Sequence, residues 1–214
     1  MIKIFAVSGF KKSGKSTLCR KILAELSKMG IRTGYIKRTS DEVLDLGEND
    51  TGRVLNEERR TALWGSDGVR YEERESGRFT PDYIASHCFP DAEIVIMEGG
   101  KFIDVPKIWV ENGTPRPDNV KGVFMIYDRF RKGDGKMTFT EGDEKSIAEH
   151  LASSVRGDQH RSANVYIGDK PLPMKDFIAD FIRGGLLGML SSLKGADTKK
   201  PVLVYLEAEK ESKK

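Results

Sequence analysis

Cysteine and histidine are scarce in this sequence, whose 214 residues include two cysteines and three histidines. Cys19 and Cys88 lie outside any CxxC pair, which excludes a disulfide framework and a cysteine-based zinc site. The histidines show no ligand spacing, so we expect ordinary surface or satisfied histidines at His87, His150 and His160. No apolar run approaches the length of about twenty residues that a membrane span needs. The short amino-terminal apolar stretch leads into a glycine turn rather than a cleavage site, so a cytoplasmic protein is expected.

The sequence also has no marked excess of positive or negative charge. The 36 basic and 33 acidic residues leave a formal net charge of +3, with the signs interspersed, and the pI is near 8.7. Without a long basic block, the sequence gives little support for a nucleic-acid binder, and neither nucleic acid nor a membrane is an expected partner. Because 38% of the residues are hydrophobic, a chain of this length can bury the core of one domain with an appendage.

What the sequence does contain is a glycine-rich loop. Residues 9–16, GFKKSGKS, fit the pattern GxxxxGK[ST] without a mismatch. The apolar run at residues 2–7 precedes the loop and is typical of a strand buried on both faces. Apolar residues at helical spacing follow it, from Leu18 to Leu26. Strand, loop and helix therefore occur in the order that a phosphate cradle needs; a chance glycine loop before a structural helix is the competing interpretation.

The residue types of this loop suit a nucleotide phosphate. Glycines let the backbone approach the anion closely, and the positive end of the helix dipole adds to the attraction. We expect Lys15 to reach the β- and γ-phosphates and the Ser16 hydroxyl to bind Mg²⁺. The predicted nucleotide-binding residues of the loop are Gly9, Lys12, Ser13, Gly14, Lys15, Ser16 and Thr17.

A second candidate site residue ends an apolar strand. Residues 92–97 are mostly apolar and are followed by Glu98 and two glycines. An acid at this position resembles a Walker B terminus, which holds Mg²⁺ or polarises an attacking water. Lys15 and Glu98 are therefore the predicted catalytic residues, and Ser16 and Glu98 are predicted metal ligands. A strand-end glutamate that only caps a turn is the alternative.

The remaining pattern predicts an α/β fold of the P-loop NTPase class, in which a mostly parallel sheet is flanked by helices. Further strands are expected at residues 31–36, 68–71 and 123–127. Further helices are expected at residues 51–64 and 81–87. Between them, the acidic stretch at residues 40–50 indicates a mobile loop at the carboxyl edge of the sheet.

Several segments carry a family resemblance. VSGFKKSGKSTL, IRTGYIKRT, ENDTGR and DAEIVIMEGGK with a following PKI occur in this order, and over residues 1 to about 155 the chain resembles the molybdopterin-guanine dinucleotide biosynthesis protein B (MobB) family. The resemblance implies a homodimeric, GTP-binding P-loop adaptor with slow intrinsic GTPase activity. Its implied partners are the guanylyltransferase that makes the dinucleotide form of molybdenum cofactor, and the cofactor itself. Where family members carry a histidine-rich stretch, this chain has Lys37, Arg38 and Thr39.

Two aspartates complete the candidate site. The resemblance matches Asp50 and Thr51 to the family's acidic-hydroxyl pair, which makes Asp50 a candidate metal ligand; capping of the helix that begins near Thr51 is the alternative. The guanine-reading tetrapeptide NKxD is absent, so the base is not evident from the residues. Asp128, at a predicted strand end, is a candidate acceptor for guanine hydrogen bonds. A solvated aspartate beside Arg129 and Arg131 is the alternative.

The pattern changes near residue 150. We predict a P-loop nucleotide-binding domain over residues 1–155 and a small α+β extension over residues 156–214. Within the extension, a strand and turn near residues 165–173, a long apolar helix at residues 177–190 and a closing strand at residues 202–206 are expected. Three glycines in that helix indicate close packing, either within the core or in a dimer contact, namely Gly184, Gly185 and Gly188.

Two functions fit these features. The first is the GTP-binding adaptor; the second is a P-loop small-molecule kinase that transfers a γ-phosphoryl group to an acceptor. A kinase needs a lid with clustered arginines. The arginines between residues 53 and 78 can form such a lid or face solvent on a salt-bridged helix. A requirement for an acceptor during turnover distinguishes the two functions.

Overall fold

The computed structural model describes residues 2–44, 47, 50–57, 60–74, 79–131, 137–156, 163–167, 170–199 and 201–206. The chain divides into two compact units. The larger unit holds the described residues up to 156 together with the short segments at 166–167 and 170–171. The smaller unit holds residues 163–165 and the described residues from 172 onward.

The described residues form ten strands and five helices. The strands are β1 (Lys3–Gly9), β2 (Thr33–Lys37), β3 (Arg60–Trp64), β4 (Val69–Glu73), β5 (Ile94–Glu98), β6 (Lys107–Val110), β7 (Val123–Tyr127), β8 (Thr138–Phe139), β9 (Tyr166–Ile167) and β10 (Lys170–Pro171). The helices are α1 (Lys15–Lys28), α2 (Asp50–Glu57), α3 (Pro81–Cys88), α4 (Glu144–Arg156) and α5 (Asp176–Ser191). All of these elements except α5 belong to the larger unit.

The central sheet has six strands in the order β2-β5-β1-β6-β7-β8, and every pairing in it is parallel. Its middle strands are buried almost throughout because helices cover both faces. Side chains alternate along β1: Phe5 and Val7 pack in the cluster that contains residues of α1 and α4, whereas Ile4 and Ala6 pack in the cluster that contains residues of α3. The predicted α/β fold with a parallel, helix-flanked sheet is confirmed.

A buried carboxylate joins three elements on the α1 side of the sheet. Glu144, at the start of α4, accepts hydrogen bonds from Lys21 Nζ at 2.8 Å, the Tyr127 hydroxyl at 3.0 Å and the Gly142 amide at 2.9 Å. Burial raises the pKa of Glu144, but these hydrogen bonds outweigh burial and hold that pKa below its ordinary value. An ionised Glu144 therefore ties α1 and the end of β7 to the beginning of α4.

The helix predicted for residues 51–64 is wrong in its second half. Helix α2 ends at Glu57, and residues 60–64 form β3, which pairs with β4 as an antiparallel hairpin. The base of this hairpin is held by Glu73, which accepts hydrogen bonds from the Tyr83 hydroxyl at 2.8 Å and from Arg60 Nε at 3.0 Å. Cross-strand pairing and these contacts override the helical spacing of the apolar residues.

The smaller unit agrees with the predicted long helix but not with the predicted closing strand. Helix α5 covers Asp176–Ser191, whereas residues 201–206 form no strand and lie exposed. Among the described atoms beyond the helix's own backbone, none lies within 4 Å of a Cβ built at Gly184, Gly185 or Gly188. The alternative for these glycines, a dimer contact, stays a prediction. None of the described helices is both long and apolar enough to cross a bilayer.

Candidate functional site

The glycine-rich loop connects β1 to α1 at the carboxyl edge of the sheet. A Cβ on Gly9 would lie 2.7 Å from the carbonyl oxygen of Val110 on β6, so only glycine fits there. Gly14 precedes α1 with a φ of 96°, a conformation that glycine adopts without strain. Gly14, the N-cap residue, has no side chain to cap the amides of the first turn of α1. These amides point toward the loop, where an anion can accept their hydrogen bonds.

Two polar side chains lie inside the loop. The Lys15 ammonium donates to the carbonyl oxygen of Phe10, and burial lowers the pKa of Lys15 although the charge of Glu98 opposes this shift. Ser13 Oγ is buried and has no hydrogen-bond partner in the described part of the chain. A buried hydroxyl without a protein partner is unusual, and it suits a ligand that binds within the loop.

Glu98 lies beside the loop, at the carboxyl end of β5, which pairs with β1. Its Oε1 accepts a hydrogen bond from Ser16 Oγ at 2.7 Å, and its Oε2 accepts one from the Tyr35 hydroxyl at 2.5 Å. Burial raises the pKa of Glu98, but the two hydrogen bonds and the charges of Lys37 and Lys15 bring it below its ordinary value. The carboxylate is therefore ionised at neutral pH.

The Ser16 hydroxyl and the Glu98 carboxylate fit a Mg²⁺ site. Mg²⁺ takes oxygen ligands and is commonly bound by one or two protein groups together with phosphate oxygens and water. Among the described residues no group of three or more His, Cys, Asp or Glu side chains could hold a metal ion alone. The backbone of Asp50 begins α2, but its side chain lies outside the described residues, and its role as a ligand stays a prediction.

Asp128 lies at the end of β7, two strands away from β1. Its Oδ1 accepts a hydrogen bond from the Phe130 amide at 2.9 Å, and its Oδ2 lies 3.7 Å from Arg131 Nε. The carboxylate thus fixes the turn that follows β7. Its predicted contact with guanine stays a prediction.

Tyr35 and Lys101 lie at this site and were not predicted from the sequence. Tyr35 holds Glu98, and Lys101 lies with its Nζ 5.1 Å from the ring centroid of Phe10 in the loop. Tyr35 reaches Glu98 because β2 pairs with β5 in a register that sets Lys37 opposite Glu98. The sequence contains no signal for that register. The only sequence signal for Lys101 is that a basic residue follows the two glycines after Glu98.

The strand, glycine loop and helix, with a parallel neighbour that ends in an acid beside the loop, define a P-loop protein of the α/β class. Residues 4–121, more than half of the chain, match the family described as molybdopterin guanine dinucleotide synthesis protein B, MobB. The chain belongs to this family, whose role is in molybdopterin guanine dinucleotide synthesis. Among curated proteins no match was found.

Two solved structures have the same fold. The chain is similar to a crystal structure of molybdopterin-guanine biosynthesis protein B at 21% identity and a TM-score of 0.54, with 71% of this chain and 99% of the other covered. It is similar to the crystal structure of Bacillus subtilis MobB at 21% identity and a TM-score of 0.55, with 71% of this chain and 97% of the other covered. The part of the chain outside these matches is a carboxyl-terminal extension.

Proposed function

We propose that this chain binds GTP with Mg²⁺ in the loop between β1 and α1 and hydrolyses it slowly, as an adaptor in molybdopterin guanine dinucleotide synthesis. The observation that supports this proposal best is the 2.7 Å hydrogen bond between Ser16 Oγ and Glu98 Oε1. It brings a hydroxyl from the phosphate loop and an ionised carboxylate from a neighbouring strand to one point. A Mg²⁺-dependent nucleotide site needs this combination.

Different residues of the loop bind the phosphates in different ways. The amides of the first turn of α1 and the Ser13 hydroxyl donate hydrogen bonds, and Lys15 supplies a cation at the β- and γ-phosphates. When bound, Mg²⁺ neutralises charge on those phosphates. Ser16 and Glu98 orient the ion, while Lys12 and Thr17 lie on the exposed side of the loop and of α1.

The electrostatics of Glu98 favour binding over fast turnover. A general base works best when its pKa lies near the working pH, whereas the pKa of Glu98 lies below the ordinary value for glutamate. Glu98 can accept a hydrogen bond from an attacking water, but it is a weak base. Slow hydrolysis by an adaptor is the expected result.

Some of the arginines expected in a kinase lid form ion pairs outside the phosphate loop. Arg60 Nη2 lies 2.8 Å from Glu73 Oε1, and Arg70 Nη2 lies 3.4 Å from Glu72 Oε2, so both belong to ion pairs of the β3–β4 hairpin. Arg59 and Arg78 lie outside the described residues. These pairings favour the adaptor over the small-molecule kinase, which stays as the second candidate.

The proposed partners follow from the family. The guanylyltransferase of dinucleotide synthesis and the molybdenum cofactor are the proposed macromolecular and small-molecule partners, and the proposed assembly is a homodimer in the cytoplasm. The β3–β4 hairpin supports an assembly of this kind because Trp64 is 86% exposed and Val69 is 65% exposed at its tip. Exposed apolar side chains grouped in this way are common at protein interfaces.

Nucleotide titration with a loop variant tests the proposal. Lys15→Ala removes the cation at the β- and γ-phosphates, so we expect tight GTP binding to be lost while the far-UV circular dichroism spectrum is unchanged. Lys28→Ala, at the other end of α1, is the matched control and keeps wild-type affinity. Equal GTP affinity of wild type and Lys15→Ala would refute the loop assignment. Parallel titrations of GTP and ATP test the choice of base.

A phosphate-transfer assay separates the adaptor from the kinase. We expect slow release of inorganic phosphate from GTP alone, with no transfer to candidate hydroxyl or carboxylate acceptors. Release that begins only when an acceptor is added, with stoichiometric phosphorylation of that acceptor, would establish the kinase instead.

A further inference from the structure

An arginine from a distant strand lies against the phosphate loop. Arg129 is the second residue after β7, and its guanidinium is next to Gly14, the residue that precedes α1. A Cβ built on Gly14 would lie 3.4 Å from Arg129 Cζ and 3.6 Å from both Nε and Nη1. The guanidinium therefore lies just outside the space that a side chain on Gly14 would occupy, next to the amino-terminal end of α1.

This position is electrostatically unfavourable for a cation by itself. The amino-terminal end of a helix carries a partial positive charge, and no carboxylate within the described ranges pairs with Arg129. The guanidinium also lies over the ring of Phe130, whose centroid is 5.7 Å from Cζ. An anion between the guanidinium and the amides of α1 would satisfy both positive groups at once.

The backbone that carries Arg129 is fixed. The Asp128 amide donates to the carbonyl oxygen of Phe139 at 2.8 Å, and Asp128 Oδ1 accepts from the Phe130 amide at 2.9 Å. Asp128 itself is buried. The turn is thus held on both sides of Arg129, so the guanidinium is presented to the loop by an ordered segment.

The sheet order decides which part of a nucleotide Arg129 meets. Glu98 approaches the loop from β5, on one side of β1, whereas Arg129 approaches from β7, on the other side beyond β6. Ser16 and Glu98 mark the first side as the metal side, where the β- and γ-phosphates lie. Arg129 therefore faces the opposite end of the polyphosphate, where the α-phosphate joins the nucleoside.

We propose that Arg129 is a second phosphate-binding cation of this site and that its guanidinium holds the α-phosphate of the bound nucleotide. The inference rests on the proposed function, because it takes the nucleotide to be bound in the loop. A guanidinium can donate two parallel hydrogen bonds to a phosphate, which an ammonium cannot do.

Affinity measurements on Arg129 variants test this assignment. We expect Arg129→Ala to weaken GTP, GDP and GMP by the same factor, about tenfold or more, since the α-phosphate is the one phosphate that all three carry and a charge-assisted hydrogen bond contributes on this scale. Arg129→Lys keeps the charge but not the paired hydrogen bonds, so its loss is intermediate. Arg116→Ala is the matched control because that side chain is exposed in the connection between β6 and β7, and it keeps wild-type affinity.

The outcomes separate the inference from the function on which it rests. If wild type binds GTP and both Arg129 variants bind it equally well, the inference is overturned and the proposed function stands. A loss confined to GTP, with GDP unaffected, overturns the assignment to the α-phosphate. If wild type binds none of GTP, GDP, ATP and ADP, the proposed function and the inference fail together. Thermal unfolding midpoints within a few degrees of wild type identify the losses as binding effects.

Discussion

Replacement of Glu98 by glutamine is the most informative single change at this site. Glu98→Gln keeps the side-chain shape but removes the charge, and its amide offers one acceptor oxygen where the carboxylate offers two. Ser16 and Tyr35 both donate to the carboxylate, so one of these hydroxyls loses its acceptor. GTP is still expected to bind, because the loop amides and Lys15 are unchanged.

The expected loss is in hydrolysis. Removal of a positioned acid or base costs at least about tenfold in rate, which corresponds to about 1.4 kcal/mol in the activation free energy. Single-turnover release of phosphate from GTP, with and without Mg²⁺, measures the effect. The loss should occur in the Mg²⁺-dependent rate, since Glu98 acts together with Ser16.

The same variant tests the pKa of Glu98. Because that pKa is lowered in the folded protein, the carboxylate stabilises the fold above its ordinary pKa of 4.5, and this contribution is lost as the pH falls through the lower, folded value. The unfolding free energies of wild type and Glu98→Gln should therefore differ at pH 7 by roughly 1–3 kcal/mol. In acid the difference should shrink.

Glu93→Gln is the matched control. Glu93 immediately precedes β5, at the opposite edge of the sheet from Glu98, and accepts a hydrogen bond from the Arg32 amide at 3.0 Å. It should leave hydrolysis unchanged. Wild-type hydrolysis by Glu98→Gln would refute the reasoning; Glu98 would then be a structural cap, and Asp50 would become the acid to test.

Two further predictions concern the support of Glu98 and the assembly. Tyr35→Phe removes the hydroxyl that donates to Glu98, so the pKa of Glu98 should rise and the acid limb of the pH profile for GTP hydrolysis should move to higher pH; an unmoved limb would contradict a role for Tyr35. Light scattering should give twice the chain mass of 24.0 kDa, and Trp64→Asp should lower this mass if the hairpin forms the contact. A wild-type mass of one chain would rule out the dimer.

Local patterns predicted the centre of the site, because its parts are contiguous. The run from β1 through the loop into α1 lies within residues 3–28, so strand burial, glycine spacing and helical spacing all appear in one stretch of sequence. Glu98 was predictable because an apolar strand ends at that residue. Both features depend on neighbours in the chain and need no knowledge of tertiary pairing.

Strand β6 was not predicted from the sequence because it begins with a lysine. Lys107 is fully buried, an environment that lysine rarely occupies. Its ammonium donates to the carbonyl oxygens of Ile103 at 2.8 Å, Val105 at 3.0 Å and Lys121 at 2.5 Å. These acceptors come from loops on both sides of the strand, so the sequence gives no sign that the lysine is buried.

Tyr35 and Arg129 were missed for a different reason. Each reaches the loop through the order and register of parallel strands, which the sequence does not encode locally. Tyr35 depends on the pairing of β2 with β5, and Arg129 depends on the place of β7 two strands from β1. Apolar periodicity identifies strands but not their neighbours in a sheet.

The central place of β1 has a consequence for how the chain folds during synthesis. Its partners follow late: Lys3 pairs with Ile94, and Ala6 pairs with Lys107. At about 5–20 residues per second, the ribosome needs roughly 5 to 20 s to produce both neighbours after β1 has been made. During that interval the apolar strand β1 lacks both neighbouring strands, and its unpaired backbone groups can pair with other chains and aggregate. A nascent chain halted before residue 110 therefore cannot complete the strand pairs on which the phosphate loop is built.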